Sequence, residues 1–361
     1  MLPRRPRRLR RVALRTGAAL PVPPLRAPTP RRRRRALAVS HPLERPFHLV
    51  TLENSGGWCV GSSGAWLAVL TLFRHANDAH AVALVNPLTG QELALPPMRW
   101  DRRRLEPTWP FVRCKVVFAP DPRQDDFTAV SVCGEKTLAY VSAGDASWSF
   151  QEITWVDTEI ADVVYCDGDG GSKFYCLTKS GAVIAVHVPR SRGTKQLVLK
   201  PLLPGISPSD PNDVFPPPYA RVSRHTSAKY LVFCEGNMYQ VWRNTGGAVD
   251  LELSDGRGSF RVSKNAVFVL RYAPAWRGPC WEAVQDLGGR SVFVGLNNAV
   301  TVRAEGTPGV KGNCVYWASE FEREEAIVFD MQTRKATPCL APSVGATCWY
   351  LPGATPTCEQ K

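Results

Sequence analysis

From Trp58 to Asp330 the chain is a succession of β-type runs, roughly four to eight residues each, closed by turn residues. Ala65–Leu72 and Ala81–Val85 come first. The second ends in Asn86-Pro87-Leu88-Thr89-Gly90, a turn because proline fixes φ and glycine accepts positive φ. Cys114–Ala119, Phe127–Cys133 and Thr137–Val141 follow, then Val163–Cys166, Lys173–Leu177 and Val183–Val188. Tyr230–Cys234 and Met238–Trp242 flank the tight turn Glu235-Gly236-Asn237, and Lys179-Ser180-Gly181 joins another hairpin. Ala266–Tyr272, Trp281–Val284, Ser291–Val294, Asn313–Trp317 and Ala326–Asp330 complete the series. The runs are rich in Val, Tyr, Phe and Trp, and no stretch keeps a capped helical period. The pattern predicts an antiparallel all-β domain.

The runs fall into groups of three or four, about 40–50 residues per group, the spacing of repeated sheets arranged radially. The expected fold is a β-propeller of about six blades, with seven as the alternative count and a pair of β-sandwiches as the competing architecture. Its tryptophans are expected to fill the gaps between blades. Arg99–Pro110 and Lys200–Pro218 read as loops projecting from one face.

Charge divides the chain in two. The formal net charge is +13, but residues 1–50 hold 14 arginines and a single acid, Glu44, which leaves 31 basic and 31 acidic residues for the rest. Residues 1–47 are therefore expected to form a disordered Arg/Pro-rich tail, and residues 48–361 the propeller. The tail's candidate targeting residues are Arg4, Arg5, Arg7, Arg8, Arg31, Arg32, Arg33, Arg34 and Arg35. They suit nuclear localisation or a nucleic-acid arm, an organellar leader, or an untargeted basic tail, while the neutral body argues against nucleic-acid binding outside the tail. No apolar run reaches the length of a membrane span.

Eleven cysteines are scattered without a CxxC pair, which removes the common zinc and dithiol spacings. Most lie inside apolar runs and read as small buried hydrophobes of an intracellular protein, in nucleus or cytoplasm with an organelle as the alternative. Chemistry is sparse. His75 and His80 flank a polar loop, and His187 reads as a half-buried strand residue. Asp167-Gly168-Asp169-Gly170-Gly171 lacks the later ligands of a calcium loop, and Glu320, Glu322, Glu324 and Glu325 alternate with Arg323 as a solvated turn. GxSxG, HExxH and GxxxxGK[ST] are absent. No catalytic set, cofactor site or metal site is expected. The candidate protein-binding patch is Trp100, Arg102, Arg103, Arg104 and Trp109, because arginine and tryptophan dominate interface hot spots.

An ordered series of tags resembles the plant β-propeller family often fused to an F-box and catalogued as domain of unknown function 295. The tags begin with Gly61-Ser62-Ser63-Gly64-Ala65-Trp66-Leu67 and Leu84-Val85-Asn86-Pro87-Leu88-Thr89-Gly90. Leu95-Pro96-Pro97, Lys115-Val116-Val117, Ala143-Gly144-Asp145 with Trp148, and Asp162-Val163-Val164-Tyr165 follow. Lys173-Phe174-Tyr175-Cys176-Leu177, Tyr230-Leu231-Val232, Val292-Phe293-Val294-Gly295 and Pro308-Gly309-Val310-Lys311-Gly312-Asn313 continue it. The resemblance implies a non-enzymatic interaction propeller, similar to the substrate-binding half of a ubiquitin-ligase adaptor. Its expected partners are an unidentified protein ligand and ubiquitin-ligase components. Where that family carries its F-box, this chain has the arginine-rich tail, whose prolines oppose helix formation.

Overall fold

The computed structural model describes residues 38–40, 48–51, 57–72, 79–99, 114–154, 159–167, 173–189, 196–206, 214–226, 228–253, 258–274, 280–318, 326–339, 348–352 and 354. Almost every regular element among them is a strand. The first strands among the described residues are β1 (Ala38–Ser40) and β2 (His48–Thr51), β1 inside the segment read as tail. Blade 1 follows with β3 (Gly57–Ser63), β4 (Trp66–Leu72), β5 (Ala79–Val85), β6 (Glu92–Ala94) and β7 (Met98–Arg99). Blade 2 holds β8 (Lys115–Phe118), β9 (Thr128–Val132), β10 (Thr137–Ser142) and β11 (Ser149–Glu152). Blade 3 holds β12 (Ile160–Cys166), β13 (Lys173–Thr178), β14 (Val183–His187) and β15 (Val198–Leu203).

A single helical turn, α1 (Tyr219–Val222), leads into blade 4. That blade holds β16 (Ala228–Cys234) and β17 (Asn237–Arg243), an inserted hairpin of β18 (Val249–Glu252) and β19 (Ser259–Val262), then β20 (Val267–Tyr272) and β21 (Trp281–Val284). Blade 5 contains β22 (Arg290–Val294), β23 (Val300–Arg303), β24 (Cys314–Trp317), β25 (Ile327–Asp330) and β26 (Lys335–Pro338), with β22 and β24 parallel. The last strand, β27 (Cys348–Tyr350), pairs with β2, so a three-stranded sheet of β1, β2 and β27 stitches the end of the chain to its beginning.

The all-β propeller class agrees with the sequence reading, but the blade number does not. Five blades are present, where six or seven were expected. Counting by spacing separated groups that hydrogen bonding joins. Residues 244–266, with the hairpin β18–β19, interrupt blade 4, yet β17 pairs directly with β20 from Tyr239↔Arg271 to Arg243↔Val267. Likewise β22 and β23 share one sheet with β24 to β26.

The core lies between blades. Leu70, Val82, Val116 and Ala129 fill the seam of blades 1 and 2, and Val130, Tyr140, Val163 and Ile184 that of blades 2 and 3. The largest cluster joins blades 3, 4 and 5 through Val164, Tyr230, Trp242 and Trp317. Phe293, Tyr316 and Trp349 pack the last strand on blade 5, while Cys59, Leu67, Leu296 and Tyr350 pack it on blade 1. A strand covered on both faces must be apolar at successive positions. Val116-Val117-Phe118 and Val163-Val164-Tyr165 are such strands. Among the described tryptophans, Trp242, Trp281, Trp317 and Trp349 are fully buried, and Trp317 of blade 5 meets Tyr230 of blade 4 edge-on at 4.6 Å.

Candidate functional site

A solvent-open concavity lies between blades 1 and 2. It is a hollow of about 490 Å³ with Trp66 and Leu93, both largely buried, in its lining. Gln91 and Glu92 belong to one wall, and Asp121, Pro122, Arg123 and Gln124 to the other. The first wall is the turn that the sequence announces. Asn86 Oδ1 accepts the Leu88 and Thr89 amides at 3.0 and 3.2 Å. The Gly90 amide donates to the Asn86 carbonyl at 2.8 Å, and Gly90 takes φ 74°. The turn holds Leu88 outward, 45% exposed. The opposite wall is fixed by reciprocal backbone bonds between Arg123 and Asp126, at 3.0 and 3.2 Å, with Asp121 at φ 57°.

The propeller's middle is built from polar groups that sequence reasoning did not single out. Lys115 opens β8, and its Nζ donates to Asp162 Oδ1 on β12. The segment between β22 and β23 carries Asn297 and Asn298, both fully buried. The Asn298 amide grips the Tyr165 backbone in both directions, its Oδ1 accepting the N–H at 2.9 Å and its Nδ2 donating to the carbonyl at 3.0 Å. Its own backbone N–H donates to the Ser62 carbonyl at 2.8 Å. One residue of blade 5 therefore ties blade 1 to blade 3. The legible signal was a charged or amide residue inside an apolar strand or a buried tag, where burial is costly without a partner. What each partner is cannot be read from a sequence separation of 133 residues.

A second polar group sits between blades 3 and 4. Lys229 Nζ donates to the carbonyls of Lys179 and Ser223 and to Ser223 Oγ, and lies 5.0 Å from the Trp242 ring centre. Burial, reinforced by the charge of Lys179, pushes its ammonium down to about 7. Lys179 itself is paired with Glu159.

The sequence-derived patch, Trp100, Arg102, Arg103, Arg104 and Trp109, lies outside the described residues, between β7 and β8. So do Arg4, Arg5, Arg7, Arg8, Arg31, Arg32, Arg33, Arg34 and Arg35, together with His75, residues 168–171 and the acids from Glu320 to Glu325. Asp167 is described and exposed, and His187 is half-buried in β14. Among the described residues no group of three His, Cys, Asp or Glu side chains is placed to hold a metal. Nine described cysteines are free thiols, seven of them buried as expected, and Cys166, also buried, is disulfide-bonded. No described helix is long and apolar enough to cross a membrane.

A protein-family model, the KIB1-4 beta-propeller, matches residues 37–332. A comparison with curated proteins found no match. Among solved structures, Bacteroides ovatus xyloglucan PUL GH43B aligns over 81% of this chain and 56% of its own at 12% identity. The TM-score is 0.31, too low to carry an argument.

Proposed function

From the premise that this chain belongs to the KIB1-4 β-propeller family, we propose that it is a non-enzymatic protein-interaction propeller whose protein ligand seats on the hollow between blades 1 and 2. The observation that carries the reading is a polar hollow whose two walls are locked by their own hydrogen bonds, with Leu88 exposed on the turn that begins at the lining residue Asn86. Protein interfaces combine apolar anchors with a polar rim. Walls already fixed lose little conformational entropy on binding, so more of the contact energy remains as affinity. The resemblance to F-box-associated propellers supports a more specific role, presentation of a bound protein to a ubiquitin ligase.

Site-specific photo-crosslinking in the native tissue tests this. A crosslinker in place of Leu88 is expected to capture a discrete protein, and one in place of Val198, exposed on blade 3, is not. Arg123→Glu should abolish the Leu88 adduct. Adducts from both positions alike, or insensitivity to Arg123→Glu, would count against the hollow. Blotting the same adducts for the F-box-docking subunit of a ubiquitin ligase separates the general reading from the specific one.

The confinement of the excess charge to the first 50 residues favours a second role for the tail, in targeting or in nucleic-acid binding. Any nucleic-acid affinity should then vanish on deletion of residues 1–37 and fall steeply with salt.

A further inference from the structure

We propose that Cys59 and Cys348 form a redox-closable latch at the seam where the propeller ring meets itself. Cys59 lies on β3, the first strand of blade 1, and Cys348 opens β27, the last strand of the chain. Both lie in one apolar cluster with Leu67, Val69, Leu296 and Tyr350, and each thiol donates to a nearby backbone carbonyl at 3.6 Å, Cys59 to Gly61 and Cys348 to Trp349. The described contacts that otherwise hold this seam are non-covalent. β27 pairs with β2, Ser62 Oγ donates to the Trp349 carbonyl, and the Tyr350 hydroxyl donates to the Ala65 carbonyl at 3.2 Å. A sulfur–sulfur bond here would close a loop containing most of the chain, the case in which a cross-link constrains the unfolded state most. The chain already holds one disulfide, at Cys166.

The seam also governs when the latch can close. Both thiols are buried, and the neighbouring Cys348 thiol, followed by burial, holds the Cys59 thiol well above its usual range. Thiolate is the reacting species, so the closed ring protects the pair from oxidants. Lifting of β27 exposes Cys348. Its thiolate attacks one sulfur of a low-molecular-weight disulfide such as oxidised glutathione, forming a mixed disulfide and releasing one glutathione thiolate. When β27 reseats, Cys59 attacks the Cys348 sulfur, the protein disulfide forms and a second glutathione leaves. Two electrons pass from the two cysteines to glutathione, and the two thiol protons are released to solvent or to the departing thiolates.

The test uses the full chain, first reduced under native conditions and then incubated with oxidised glutathione. Free thiols are alkylated, and the non-reduced digest is mapped by mass spectrometry. The expected result is a peptide pair linked through Cys59 and Cys348, with an unfolding midpoint several degrees above that of the reduced chain, reversed by dithiothreitol. Cys59→Ala and Cys348→Ala should each lose that shift. Should one of them fail to fold, the wild-type peptide map still decides. Stable glutathione adducts without the link would overturn the latch. So would exclusive linkage of Cys114 to Cys133, which meet the hydroxyl and the carbonyl of Ser131 respectively within blade 2, or a link that lowers the midpoint.

Discussion

Lys115 Nζ lies 2.6 Å from Asp162 Oδ1, with both side chains buried, and the pair joins blade 2 to blade 3. The other oxygen, Asp162 Oδ2, accepts the Leu231 amide of blade 4 at 3.0 Å, and Lys115 Nζ also stands 5.5 Å from the Tyr230 ring centre. Three successive blades thus meet at one carboxylate. In a radial fold the inner strands have few backbone bonds to one another, so side chains must set the spacing between blades.

Breaking this pair one partner at a time should be costly. Asp162→Ala leaves a buried ammonium and an orphaned Leu231 amide, with an expected loss of about 3–5 kcal/mol. The double change Lys115→Met with Asp162→Ala removes both charges and should lose less than Asp162→Ala alone. Urea unfolding of the four proteins of this cycle gives the coupling directly. A double variant as unstable as the sum of its parents would show that the two residues act independently.

Asn298→Ala should loosen the ring without touching either outer face. Two backbone groups of Tyr165 lose their side-chain partner, while the backbone bond to Ser62 stays, and an unsatisfied buried group costs about 1–3 kcal/mol. Stability should fall by about 2–4 kcal/mol. Hydrogen exchange at the Tyr165 amide should accelerate more than at amides of blade 4 remote from the contact. Equal acceleration everywhere would mean global destabilisation only.

Two glycines separate packing from backbone strain. A Cβ on Gly61 would lie 1.9 Å from the Val116 carbonyl oxygen, where β3 of blade 1 passes β8 of blade 2. A Cβ on Gly90 meets nothing within 4 Å, although Gly90 has φ 74°. Gly61→Ala must displace a strand and is expected to cost about 3 kcal/mol or more, whereas Gly90→Ala pays only left-handed strain of roughly 1–2 kcal/mol. Thermal melts of the two variants compare them.

These residues also mark how much the sequence discloses. Local chemistry was readable. The Asn86 turn, the Glu235-Gly236 hairpin with φ 47° and 75°, and the strand identities follow from residue types within a few positions of one another. Blade number was not, because it depends on which groups hydrogen-bond, and the β18–β19 insertion disguises one blade as two. For the candidate hollow, the turn carrying Leu88 was legible as a turn. Its position beside Arg123 arises from the packing of blade 1 on blade 2, which no local pattern encodes. Gly61 was visible as part of a family tag, but the close approach that demands glycine there was not.

The remaining expectation concerns pH. The folded value of Lys229 is about 7, below the roughly 10.4 of an unfolded lysine. Between those values the unfolded chain binds the extra proton, so this group makes stability rise with pH and contributes its full penalty below about pH 7. The acceptors at Lys179 and Ser223 and the Trp242 ring offset part of the desolvation, so the rise between about pH 7 and 8.5 should be roughly 1–2 kcal/mol. The buried thiols work in the opposite sense. Cys114, Cys133 and Cys176 are all pushed up by burial, so the unfolded chain loses their protons first and stability falls as pH climbs through about 8.5 and beyond. Wild-type stability should therefore increase from about pH 7 to 8.5 and then turn over. Lys229→Met keeps the apolar stem against Trp242 and removes the titrating group. Its urea-unfolding profile should lose the rise while keeping the alkaline fall. A variant that retained the rise would place the titrating group elsewhere than on Lys229.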